Sequence, residues 1–410
     1  MIKIGMVVHG PEIIDSGYFI KIYKLLKNYG NVIITAKLGG TMGRVSVIDN
    51  KLEDIIDISE KIMPSQSLKK LENDNDVLIL LNYGKFKETG HTFGKIVVER
   101  SKVKKTVIQI ERPGEFDGTI LLWNFKENEE ISNLVDYLSK SLNLSVENCI
   151  SDGLTIWEEN GRIYRKLHGV EDNEAILLNG VVIGRADSNL KDSPILVCEN
   201  GYLIDIINGK LKYSSLDKLG KIDIKKVVVK TGILRRHPVC VNNLNKSDDK
   251  NNKNDKINNN HNNKNNINKN TIKNTANYNN KTERYGSVSK SIVFIDHSGE
   301  DVVDILNKNK DIIPITIGDD TTTICGDILY RFNIPIIGIT DGDKDNILID
   351  PKIKEGSVIF LILNSRDDDV ATILKNNLDT DKKWDMDKLI EKIESILNKN
   401  NIKFKINKIN

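Results

Sequence analysis

Over residues 1 to about 125, runs of β-branched and other apolar residues alternate with glycine-bearing turns and stretches of helical period. IKIGMVVHG, NVIITAKLGG, DVLILLNYGK and KTVIQIERPGE each carry an apolar run into a polar loop, and TILLWNF reads as a fifth strand. After Asp15 and Ser16, either of which can cap a helix, Phe19, Ile22, Leu25, Leu26 and Tyr29 fall on one helical face. VIDNKLEDIIDISEKI and EISNLVDYLSKSL read as further helices. Continuous apolar strands alternating with helices predict a parallel sheet covered on both faces.

From about residue 151 the pattern changes. GRIYRKL, EAILLNGVVIG, PILVCENGYLIDIINGKLKY and KKVVVKTGIL are short apolar runs, several broken by NG, a strong hairpin signal. From Asn245 to Asn280 two thirds of the residues are Asn or Lys, too little apolar surface to offset the entropy of ordering. The parallel pattern then resumes with SIVFIDHSGE, DIIPITIGDD, IPIIGITDGD and SVIFLIL. A last amphipathic segment, Trp384 to Leu397, can dock on its own domain or on a second copy in a homo-oligomer. The expected class is α/β: two parallel-sheet, Rossmann-like domains flanking a small β-rich module. Its parts are a ligand-binding domain (1–150), the β-rich module (151–240), a disordered Asn/Lys linker (241–287), an α/β domain with acidic strand-end loops (288–378) and a helical tail (379–410).

Charge narrows the partners. The chain has 60 basic against 58 acidic residues, so no global field draws it to nucleic acid or an anionic membrane. Cys149, Cys198, Cys240 and Cys325 form no CxxC, which argues against a disulfide framework or zinc knuckle and for a reducing cytosol. Neither a signal peptide nor a membrane span is expected.

The loops HGPE, GGTMGR, NYGK and ERPGE follow successive strands, and a parallel sheet gathers such loops at one edge. Gly39, Gly40, Thr41, Gly43 and Arg44 read as a cradle for a small anionic ligand, glycine letting backbone N–H groups approach it. Lys85 and Arg112 add charge from neighbouring loops. His9, next to Gly10, and the carboxylates Glu12 and Glu111 are candidates for proton transfer or polar recognition. GGTMGR is neither a Walker sequence nor GxGxxG.

The second candidate is GITDGDKDN, with Asp341, Asp343 and Asp345 at alternate positions after an apolar run. An EF-hand is excluded, because the sixth position is Asn346 and the twelfth Lys352. A hard cation such as Mg²⁺ would suit carboxylates gathered at the end of a parallel sheet, and a solvated turn is the competing reading. Glu300 followed by Asp341-Gly-Asp343 resembles the TOPRIM arrangement of topoisomerase and primase domains over about residues 291 to 375. That resemblance implies that Glu300, Asp341 and Asp343 hold Mg²⁺ for phosphoryl transfer. The chain departs from the pattern where Glu300 lies four residues past Asp296 and where KDN follows the DxD.

HGPEIIDSG, GGTMGR, ERPGE and PIIGITDGD together resemble an archaeal family of uncharacterised proteins. This likeness implies the domain layout and a cytoplasmic setting, with the Asn/Lys linker an insertion, and no chemistry. Two functions therefore compete. One is an Mg²⁺-dependent enzyme acting on a phosphorylated or nucleotide-like molecule; the other is a non-catalytic metabolite-binding or regulatory module. Nucleic-acid processing through the TOPRIM-like part stands third.

Overall fold

The N-terminal apolar runs form one seven-stranded sheet in the computed structural model, which describes residues 2–126, 128–149, 155–237 and 289–410. The expected Asn/Lys linker lies outside the described residues. Across the sheet the strands run Ile56–Asp57, Val32–Lys37, Ile2–Val8, Val77–Asn82, Val107–Glu111, Thr119–Trp123 and Ser145–Asn148. The first five are parallel, and Thr119–Trp123 turns antiparallel against Val107–Glu111. Winding goes one way from Ile2–Val8 and then restarts on its other side at Val77–Asn82. One apolar layer includes Phe19, Ile22 and Leu26 with Leu134 and Leu138 of the helix Glu129–Leu142. The other places Leu68 and Leu71 with Val97 and Val98 of the helix Lys87–Ser101.

One expected helix is replaced. VIDNKLEDIIDISEKI is not a single helix: the helix Thr41–Asp49 ends early, Lys51 takes a φ of 54°, and the short strand Ile56–Asp57 follows. Leu52 and Ile56 are buried by this path, so their apolar spacing reflects tertiary packing and not a helical face.

The module between the α/β parts is two four-stranded antiparallel sheets. They enclose a core that includes Ile176, Ile183, Leu196, Cys198 and Ile206. Its hairpins turn at Asn179-Gly180 and Asn200-Gly201, where both residues have positive φ, the geometry that Asn-Gly supplies at low cost.

The C-terminal sheet has order Lys383–Trp384, Lys290–Asp296, Ile312–Ile317, Ile337–Thr340, Val358–Ile362 and Phe404–Lys408. Its four central strands are parallel and both edges antiparallel. The segment expected as a helical tail supplies both edge strands, and its helix Met386–Lys399 buries Leu389, Ile393 and Leu397 against this same sheet. The two α/β parts meet along the helix Thr41–Asp49, whose Val45 joins the apolar cluster of Val302, Cys325 and Ile328.

Candidate ligand cavity and acidic edge

Reversal of winding leaves a crevice beyond the C-terminal ends of Ile2–Val8 and Val77–Asn82, the place where open α/β sheets bind ligands. A cavity of about 400 Å³ lies there. His9, Gly10, Glu12, Gly40 and Gly43 line its floor with Asn82, Lys85 and Phe93, and the module closes it with Arg165–Gly169 and Val227–Thr231. The sheet alone would leave this edge open to solvent.

His9 is fixed by a buried polar chain. Its Nδ1 lies 2.7 Å from Asn82 Oδ1, and its ring stacks on Phe93 at 4.0 Å. Asn82 Nδ2 donates to Glu111 Oε2, as does Gln109 Nε2, both at 2.8 Å, and Trp123 Nε1 donates to Gln109 Oε1. This orientation turns Asn82 Oδ1 toward the histidine, so Nδ1 carries the proton and Nε2 the lone pair. Burial lowers the His9 pKa to about 4, against the hydrogen bond to Asn82 and assisted by the nearby charge of Lys230. His9 is therefore neutral at physiological pH. Burial also raises the Glu111 pKa despite its donors. Two glycines make room for the chain: a Cβ at Gly90 would stand 2.1 Å from Glu111 Cδ, and one at Gly94 would stand 1.7 Å from Gln109 Oε1.

Six lysines and arginines line the cavity, and three are already engaged. Lys85 pairs with Glu174, Lys166 with Asp192, and Arg236 lies 3.5 Å from Glu12 and donates to Tyr83 O. Arg165, Lys230 and the exposed Arg100 have no carboxylate partner among the described residues. Arg165 is 5% exposed. It donates from Nη1 to Ile224 O and Val227 O, while its Nε is enclosed without a partner. Burial, with the charge of Arg100, lowers its pKa to about 10. Lys230 is an exposed residue whose side chain lines the cavity. It forms no ion pair or hydrogen bond among the described residues; burial lowers its pKa against the more distant attraction of Glu300 and Glu12.

Other predicted ligand residues sit elsewhere. The Arg44 side chain is fully buried and forks onto Asp304, with both N–O distances 3.0 Å, while its Nε donates to Ile58 O. Thr41 Oγ1 donates to Glu300 O at 3.0 Å. Gly39 packs against backbone, a Cβ there meeting Ile62 O at 2.1 Å. Arg112 donates to Gly84 O and pairs with Asp117 at 2.9 Å, bracing the loop that carries Lys85. Of the expected cradle, Gly40 and Gly43 reach the cavity while Thr41 and Arg44 join the two α/β parts.

The acidic loops also gather at a sheet edge, in a different grouping from that expected. Asp319, Asp341 and Asp343 each place a carboxylate oxygen within 4.8 Å of the others. Asp319 Oδ2 accepts from the backbone N–H of Asp341 and Gly342. Glu300 is outside this group and pairs with Lys61 at 3.0 Å. Asp345 is held by Lys212 at 2.7 Å, which also reaches Asp343 at 3.1 Å. Burial and then the charge of Asp345 push the Asp320 pKa up to about 7, and burial and then Asp341 push Asp367 up to about 6.

Sequence reading missed Asn82, Phe93, Arg100, Arg165 and Lys230. Arg165 stands at a buried position of the strand Arg162–Lys166, and Lys230 lies within VVVKTG. A charge placed among apolar strand positions was the available signal. Glycines four apart in ETGHTFG marked the helix face that admits the Gln109–Glu111 chain.

No helix among the described residues is long and apolar enough to cross a membrane. No solved structure matches the chain. The Uncharacterized protein MJ0065 of Methanocaldococcus jannaschii is 54% identical over 401 residues, 98% of each chain. The TOPRIM likeness finds no support in these comparisons. A family model described as "Uncharacterized protein conserved in archaea (DUF2117)" matches residues 6–382, and with that near-complete match the chain belongs to this archaeal family.

Proposed function

We propose that the chain binds a small anionic metabolite, a carboxylate or phosphate, in the switch-point cavity. The observation that carries this reading is that Arg165 and Lys230, neither paired with a carboxylate among the described residues, line one cavity. Arg165 is buried, a charge buried without a partner is costly, and a bound anion removes that cost. Phe93, Met42 and Ile233 add apolar walls suited to the rest of a ligand. His9 Nε2 offers an acceptor beside the anion, for a ligand hydrogen bond or for a proton in turnover. Unpaired Cys149, Cys198 and Cys325 support a reducing, cytoplasmic setting.

Gly40 gives the test. Its φ is −75°, which any residue adopts, and a Cβ there meets nothing within 4 Å. Gly40→Phe is expected to keep the fold and obstruct the cavity. A thermal-shift panel of small carboxylates and phosphates should show saturable stabilisation of the native chain, by about 2.7 kcal/mol at a hundredfold excess over Kd, and little in Gly40→Phe. The reading fails if no member stabilises the native chain, or if the obstructed variant responds equally.

A second reading, a divalent-cation site at the C-terminal edge, is favoured by one observation. Asp341 Oδ1 is enclosed with no hydrogen-bond partner, within the group formed with Asp319 and Asp343. Oxygen-only ligands suit Mg²⁺ or Mn²⁺. Titration with either ion is expected to raise the unfolding temperature of the native chain and not of Asp341→Asn/Asp343→Asn. An unresponsive native chain would leave these carboxylates as a solvated edge tied down by Lys212.

A further inference from the structure

The free cations of the cavity stand in two places. Lys230 neighbours His9, which stacks on Phe93. Arg165 neighbours Arg100, and the two guanidiniums hold one turn of the module: Arg165 donates to Ile224 O and Val227 O, and Arg100 to Lys226 O at 2.9 Å. Arg100 also has no carboxylate partner among the described residues.

The helix gives the spacing of these places. Phe93 and Arg100 are seven residues apart on the helix Lys87–Ser101, about 10 Å at ~1.5 Å per residue. Val227, held by Arg165, and Lys230 are three residues apart where the chain runs into the strand Val229–Thr231, a span of up to about 10 Å at ~3.3 Å per residue and so compatible with that rise. The lining they share includes the apolar Ile96, Val97 and Val229. Attraction falls with distance, so an anion held at one end gains little from the cations of the other, and a ligand charged at both ends meets both sets.

We infer that the ligand is an elongated dianion, with anionic groups about 10 Å apart on an apolar spacer, one end on Lys230 and the other on Arg165 and Arg100. This rests on the anion-binding reading above and narrows it to a substrate class. Arg165 supplies the fork that suits a carboxylate or phosphate, since Nη1 is spent on carbonyls while Nη2 has no partner among the described residues.

The test is calorimetric titration of the full chain with linear α,ω-dicarboxylates from succinate to dodecanedioate, beside the monocarboxylate of each length. Affinity is expected to peak for diacids whose carboxylates stand about 10 Å apart when extended, and there to exceed the matching monoacid by about tenfold or more. Arg100 is exposed and replaceable without disturbing the core. Arg100→Met should cut this diacid preference severalfold; Arg165→Met, where it folds, should abolish the preference. Equal binding of monoacids and diacids by the native chain at every length overturns the dianion and leaves a single anion site standing. A native chain that binds no anion in the series or in the carboxylate and phosphate panel overturns both readings.

Discussion

Replacing Arg44 by methionine is expected to cost about 3–5 kcal/mol of stability, among the largest losses any single substitution should cause in this chain. The side chain is fully buried, and its guanidinium holds both Asp304 oxygens at 3.0 Å and the Ile58 carbonyl at 3.0 Å. Methionine fills much of the volume but leaves Asp304 without its cation and Ile58 O without its donor. Arg44→Lys should recover only part of the loss, because an ammonium cannot reproduce the planar fork. Asp57→Asn, at a surface pair with Lys37, should cost no more than about 1 kcal/mol. Urea unfolding of the three variants decides it. A loss below about 1 kcal/mol for Arg44→Met would mean that Asp304 is satisfied without it. Arg44 would then be available to a ligand, as its place in GGTMGR suggests.

That contrast shows what the sequence could and could not convey. GGTMGR was read correctly as a strand-to-helix turn because glycine and the flanking apolar run are local signals. The destination of Arg44 is not local: its partner is 260 residues away on a helix of the other α/β part. The same holds for Thr41 and Glu300, which meet each other across 259 residues of chain. Parallel sheets were legible because strands buried on both faces must be continuously apolar, and the module because Asn-Gly fixes hairpin geometry. Less visible was that the module closes the N-terminal sheet edge, bringing Arg165 and Lys230 opposite His9. Apolar period alone also failed over VIDNKLEDIIDISEKI, where Leu52 and Ile56 are buried by a turn and a strand. In the acidic loops, the strand-end position of Asp319 was legible in GDDTTT, but helix capping explains that context equally well, and the expected ligand set took Glu300 and Asp345 in its place.

Lys230→Met should weaken binding and leave stability nearly unchanged, and that conjunction separates a binding residue from a structural one. Without ligand the variant should stay within about 0.5 kcal/mol of the native chain, because the ammonium is exposed and makes no ion pair or hydrogen bond among the described residues. Binding of the anion should weaken by about 10–100-fold, the worth of a charge-assisted contact of about 1.5–3 kcal/mol. The pH dependence follows from the depressed pKa of Lys230. Below that pKa the amine is charged in both folded and unfolded chains. As pH rises through it toward the ordinary 10.5, the folded chain releases the proton first, so the native chain gains stability relative to Lys230→Met. Anion affinity of the native chain should fall over the same alkaline range, while His9, with its pKa near 4, contributes no change there. Thermal unfolding and calorimetry across pH 7 to 10 read both quantities. If Lys230→Met loses stability and binds anions as the native chain does, the lysine is part of the framework and the cavity's charge is not meant for a ligand. If it keeps its stability and loses binding, the lysine serves what the cavity holds and not the fold.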